Sequence, residues 1–132
     1  MLKLSKMADY GIVILAYMSQ NPACLSSTQI AENTHIPEAT VSKILKLLNN
    51  GGIVTSTRGA NGGYQIIEKA QDISAAKIIE AIDGPVELTS CVEGSHSTCQ
   101  IAATCQLNGR WQKINGAVRG ALDSLTLKDF VA

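Results

Sequence analysis

The stretch from Ser26 to Ile67 limits the folds open to this chain more than any other part of it. Pro37 opens a run in which Val41, Ile44, Leu45 and Leu48 recur at the i, i+3, i+4, i+7 spacing of one buried helical stripe. Asn49-Asn50-Gly51-Gly52 stops it, and Ile53-Val54-Thr55-Ser56-Thr57 then reads as a β-branched strand. Tyr64-Gln65-Ile66-Ile67 alternates as a second strand, and Arg58-Gly59-Ala60-Asn61-Gly62-Gly63 between them is a glycine-rich hairpin loop. Upstream, Ser26 and Ser27 offer N-caps for a short helix through Gln29, Ile30, Ala31 and Glu32. The tight link Asn33-Thr34-His35-Ile36 joins it to the Pro37 helix. Either helix alone would suit a plain bundle. Their order, followed by a glycine-tipped hairpin, predicts a winged helix-turn-helix.

The flanks add helices. Ser5 can cap a helix running to about Ser19, apolar on nearly every side through Ile12, Val13, Ile14, Leu15 and Met18, and ended by Asn21-Pro22. So little polar surface predicts burial on two sides, by its own domain and by a partner. Ser74 is a cap for a fourth helix, Ala75 to Ile82, ended by Asp83-Gly84-Pro85. Residues 86–108 read as irregular. A last helix is expected from Gly109 or Arg110 to about Leu125, with the stripe Trp111, Ile114, Val118, Leu122 and Leu125. Gly116 and Gly120 sit on it four apart, although a helical glycine costs about 1 kcal/mol relative to alanine. Close approach of another helix would justify them, which makes this the expected dimerisation helix. Docking on its own domain is the alternative. The fold class is thus mainly α with a small β-hairpin. Residues 1–72 form the winged helix-turn-helix. Residues 73–132 form an effector and dimerisation region holding the cysteine loop (86–108) and the C-terminal helix.

With 132 residues, 45% apolar and 17% charged, the chain is one domain or a small domain with an appended arm, and is not disordered. The formal charge is zero, so a nucleic-acid surface must come from local clustering. Residues 1–67 carry five bases against three acids, and residues 68–132 six against eight, which favours an N-terminal DNA module. No apolar stretch reaches the roughly 18 residues a membrane-spanning helix needs. Tyr10–Met18 behind Lys3 and Lys6 resembles a signal-peptide core, but Asp9 interrupts the basic lead and Asn21-Pro22-Ala23-Cys24 is a poor cleavage site. A cytoplasmic protein is expected. The chain lacks a C-x-x-C pair, a nucleotide loop and a His/carboxylate constellation, so an enzyme or small thiol redox protein is the weaker reading.

The candidate DNA contacts follow from the fold. Thr40, Ser42, Lys43 and Lys46 lie opposite the apolar stripe of the Pro37 helix and can reach base edges or phosphate. Ser27 and Thr28, with the first amides of their helix, suit a phosphate. Arg58 is placed to enter the minor groove from the wing, beside Asn61, which a hairpin also favours for turn geometry alone. His35 reads as structural.

Cys91, Cys99 and Cys105 are separated by seven and then five residues. Thiolates suit iron–sulfur clusters and zinc, and a loop lets them converge. Structural zinc sites usually show closer pairs. A reactive-thiol switch stays open. Glu93 and His96 lie inside the segment as possible fourth ligands, and Cys24 reads as a structural thiol.

Four blocks together resemble the IscR-type winged-helix transcription regulators: the opening L-x-x-S-K-x-x-D-Y, the helix I-P-E-A-T-V-S-K-I-L, the wing R-G-x-x-G-G-Y, and the three late cysteines. The subgroup most similar is that of the SUF-operon iron–sulfur assembly regulators. The resemblance covers essentially the whole chain. It implies a homodimer reading a partly palindromic double-stranded operator, with Cys91, Cys99 and Cys105 holding an iron–sulfur cluster of two or four irons. It also implies a repressor of cluster-assembly genes; relatives respond instead to nitric oxide or cysteine metabolism. Many relatives place a histidine three residues after the last cysteine, where this chain has Asn108. Asp9 matches the position from which some relatives supply a carboxylate across the dimer, so Asp9 of the partner subunit ranks ahead of His96 as fourth ligand. An acid in a first helical turn is also favoured by the helix dipole alone.

Overall fold

A computed structural model describes residues 2–89, 91–92, 100–101, 103–107 and 109–131. The described elements are α1 (Lys6–Gln20), α2 (Ser27–Thr34), α3 (Glu38–Asn50), strands β1 (Val54–Thr57) and β2 (Gly63–Ile66), α4 (Ala75–Asp83), α5 (Trp111–Asp123) and α6 (Leu127–Val131). A 3-10 turn at Ala70–Asp72 precedes α4. The mainly helical fold with a small antiparallel hairpin is the one expected.

Local chemistry sets the element ends. Ser5 Oγ accepts from the Ala8 N–H at 3.0 Å and donates to the Asp83 carboxylate at 2.7 Å, so the cap of α1 also ties it to the end of α4. Ser26, rather than Ser27, caps α2 in a reciprocal box with Gln29, and Ser74 accepts from the Lys77 N–H at 3.1 Å. Each such cap stabilises its helix by about 1 kcal/mol. Pro37 opens α3 without a side-chain cap. His35 adopts a left-handed conformation (φ 62°) and donates its N–H to Ala31 O at 2.9 Å, making the turn between α2 and α3.

Val41, Ile44, Leu45 and Leu48 are fully buried, as their spacing predicts. Burying each contributes about 1.5–3 kcal/mol. They join Ile14 and Leu15 of α1, Ile30 of α2, Ile53, Val54, Ile73, Ile78 and Leu127 in one cluster. Within this chain α1 buries one face, while Val13 stays 41% exposed.

Two features depart from expectation. The helix α6 and the 3-10 turn are additional. Leu127 donates to Ile73 O at 2.9 Å and Ala75 to Leu125 O at 2.8 Å, returning the chain end to the start of α4. Gly63 belongs to β2, paired with Thr57, rather than to the loop. There Leu25 lies alongside, exchanging bonds of 2.9 and 2.7 Å with Tyr64. Gly63 holds φ at +154°, and a Cβ would collide with the Leu25 carbonyl.

Candidate nucleic-acid interface and cysteine segment

The amphipathic pattern of α3 places its buried stripe inward and leaves Lys43 and Lys46 exposed, with Thr40 and Ser42 half-buried beside them. Arg58 and Asn61 are exposed at the hairpin tip. The structure therefore places these candidate residues on the outer side of α3 and at the hairpin tip. The phosphate pair at the start of α2 is altered. Ser27 is half-buried, and Thr28 donates its hydroxyl to Glu38 Oε1 at 2.8 Å. With its proton committed to a carboxylate, Thr28 presents only lone pairs until Glu38 releases it.

One basic residue of this face was not expected there. Lys6, in the first turn of α1, lines a depression of about 370 Å³ with Tyr10, Thr40 and Lys43. Its Nζ lies 6.0 Å from the Tyr10 ring centroid. Lysines from two different helices thus line one depression with Thr40. The i, i+4 spacing of Lys6 and Tyr10 could have flagged the pair, but only the fold places them against α3.

Cys91 is half-buried, its Sγ 3.1 Å from Thr89 Oγ1, and the adjacent Val92 is buried. Cys105 is also half-buried, and Cys24, Cys91 and Cys105 are free thiols. Cys99, Glu93, His96 and Asn108 lie outside the described residues. Among the described residues no three His, Cys, Asp or Glu side chains gather as a metal site. Asp9 is exposed in an open depression with Lys3, Leu4, Ser5, Lys6 and Asp83, which no cysteine lines.

The helix beyond the cysteines has two faces. Trp111, Val118 and Leu122 are half-buried, and Arg119 Nε meets Glu80 Oε1 of α4 at 2.6 Å. That hydrogen bond and the Glu80 charge raise the Arg119 pKa above its ordinary value. Ile114, Ala117, Ala121 and Leu125 form an exposed stripe, with Ile114 at 48% and Leu125 at 45%. The expected close approach at Gly116 and Gly120 is not made within the chain: nothing described lies within 4 Å of a Cβ built at either. Asn115, which sequence reasoning passed over, is the buried polar residue of this helix. Its Oδ1 accepts from the Leu88 N–H and its Nδ2 donates to the Val86 carbonyl, both at 2.8 Å.

A two-helix reader with a basic recognition face and a hairpin wing defines a winged-helix transcriptional regulator. More narrowly, the chain belongs to the Rrf2 family, whose model, described as an iron-dependent transcriptional regulator, matches residues 4–132. It is 30% identical over 135 aligned positions to the HTH-type transcriptional regulator CymR of Bacillus subtilis (strain 168), covering 99% of this chain and 91% of that protein. The fold is similar to the structure of CymR, the global cysteine regulator of B. subtilis, with a TM-score of 0.76, 28% identity, and coverage of 99% and 97%. It is also similar to T. potens IscR, with a TM-score of 0.69, 26% identity, and coverage of 98% and 86%. The resemblance to IscR-type regulators therefore holds. Among the described residues no helix is long and apolar enough to cross a membrane.

Proposed function

We propose that the protein is a homodimeric repressor of cluster-assembly genes whose affinity for a partly palindromic double-stranded operator is set by an iron–sulfur cluster in each subunit. The observation that carries this reading is the position of the thiols. A three-cysteine segment lies between α4 and α5 of a DNA reader whose family is described as iron-dependent. The donor chemistry fits: Cys91, Cys99 and Cys105 supply three soft thiolates, and the Thr89 hydroxyl steadies Cys91. Asp9 of the partner subunit, or His96, completes the set. When bound, the cluster supplies a centre that oxidants and nitric oxide can alter.

The chain's own residues do the rest. Lys43 and Lys46 hold phosphate or guanine, with Thr40 and Ser42 on the same helix, while Arg58 and Asn61 reach from the wing; Ser27 approaches a phosphate, and Thr28 joins it only once Glu38 releases its hydroxyl. Ile114, Ala117, Ala121 and Leu125 pair with their counterparts in a second subunit. Two half-sites can be matched only when the recognition helices keep a fixed spacing. A change at the cysteines that moves α5 alters that spacing and hence affinity.

The direct test is anaerobic purification followed by a visible spectrum and iron and sulfide analysis per chain. Visible absorption with matched iron and sulfide supports the reading. A colourless protein that also resists anaerobic reconstitution overturns it. In that case the same DNA-binding dimer responds to thiol oxidation or a small metabolite, a second reading favoured by the likeness to a cysteine regulator.

A further inference from the structure

We infer that Asn115 is a positioning residue that couples the cysteine segment to the dimer-forming helix, an inference that rests on the proposed function. Asn115 is 5% exposed, and the other polar side chains of α5 are not buried this way. Both ends of its amide are used. Oδ1 accepts from Leu88 N and Nδ2 donates to Val86 O, each at 2.8 Å. A single side chain thereby pins alternate backbone groups of the segment that reaches Cys91 three residues later.

The other attachments give this pin a direction. Arg119, one helical turn along α5, is held to Glu80 of α4 at 2.6 Å. Ser5 holds the end of α4 to the start of α1 through Asp83. The cysteine segment is thus linked through Asn115 to α5, and through α4 to the helix that flanks the recognition face. One residue away from Asn115, Ile114 is exposed on the stripe assigned to the partner subunit. A shift at Cys91 that pulls residues 86–88 must drag α5 or break the Asn115 pair. Breaking it leaves a buried amide and two backbone groups without partners, so the helix moves with the segment.

A residue serving only as packing could be replaced without touching communication between the two sites. The test uses the full-length dimer in Asn115→Ala and Asn115→Asp forms. Asp keeps an acceptor for Leu88 N–H and loses the donor to Val86 O, so it stays informative should the alanine form not fold. Two readouts are taken. The first is alkylation of Cys91 by iodoacetamide in reduced, metal-free protein, followed by peptide mass spectrometry, with Cys24 as internal control. The expected result is a rise of about tenfold at Cys91 and none at Cys24, as local opening becomes easier. The second is the ratio of operator affinities between cluster-loaded and cluster-free protein. It is expected to fall from the roughly 5–150-fold of coupled sites to within about twofold of unity, with one state's affinity retained. Wild-type Cys91 reactivity and a wild-type ratio in both variants would overturn the inference. A wild-type protein with no ratio at all sinks the functional reading instead, and the alkylation readout then decides alone whether Asn115 holds the segment.

Discussion

Gly63→Ala is the substitution that best separates the fold described here from a generic hairpin. At this position the backbone of β2 passes against the residues entering α2, so an added Cβ meets the Leu25 carbonyl carbon at 2.5 Å and Ser26 N at 2.9 Å. Relief requires β2 to move away from Leu25, which breaks the 2.9 and 2.7 Å bonds between Leu25 and Tyr64. Losing two net backbone hydrogen bonds costs about 2 kcal/mol. Holding φ at +154° with a side chain adds about 1–3 kcal/mol, offset by roughly 0.4–1 kcal/mol from the stiffer unfolded chain. The net destabilisation is about 2–4 kcal/mol, a fall in Tm of roughly 6–20 °C for a chain of this size. Because Ser26 caps α2, operator affinity should fall as well. The control is Gly52→Ala, whose φ of +75° is also positive but whose Cβ would meet nothing within 4 Å. It should cost only about 1–2 kcal/mol. Thermal unfolding followed by circular dichroism measures both. Equal shifts in the two variants would refute the close-approach argument.

Two further expectations follow from the same geometry. Lys43→Ala should lower operator affinity and reduce the slope of log K against log salt by about 0.9 if Lys43 holds a phosphate, or leave the slope and relax sequence preference if it reads guanine. Fluorescence anisotropy across a salt series decides, and unchanged affinity would remove Lys43 from the interface. Ile114→Glu places a charge on the exposed stripe of α5 while leaving the α4-facing side intact, so light scattering should show monomers at concentrations where the wild type is dimeric. A dimer that persists would place the subunit contact elsewhere.

Much of this fold was legible because its signals are local. The stripe of α3 states its own burial, and Ser5 and Ser74 cap the helices they precede. What escaped is held by contacts distant in sequence. Leu127–Val131 is too short to announce a helix, and it is placed by backbone pairing to Ile73 and Ser74, some fifty residues upstream. Thr28 reads as a free hydroxyl until Glu38 is brought to it across the helix-turn-helix. Asn115 sits in a polar stretch of helix and reads as surface; only the path of residues 86–88 buries it and satisfies both ends of its amide. Gly63 looked like turn chemistry because nothing local announces that Leu25 lies beside it. The exposed residues of α3 were legible for the opposite reason. A helix with one buried stripe leaves few positions on its other side.

The central claim is that the cysteine segment governs DNA affinity through a cluster. It is tested most directly by titrating operator with anaerobically reconstituted protein before and after cluster removal, beside Cys99→Ala, with iron and sulfide assayed in the same samples. Affinity in the wild type should change at least about fivefold with cluster content. Cys99→Ala should bind no cluster, keep its fold, and have one fixed affinity matching the cluster-free state. A wild type that binds operator equally well with and without its cluster would rule out control of DNA affinity by the cluster.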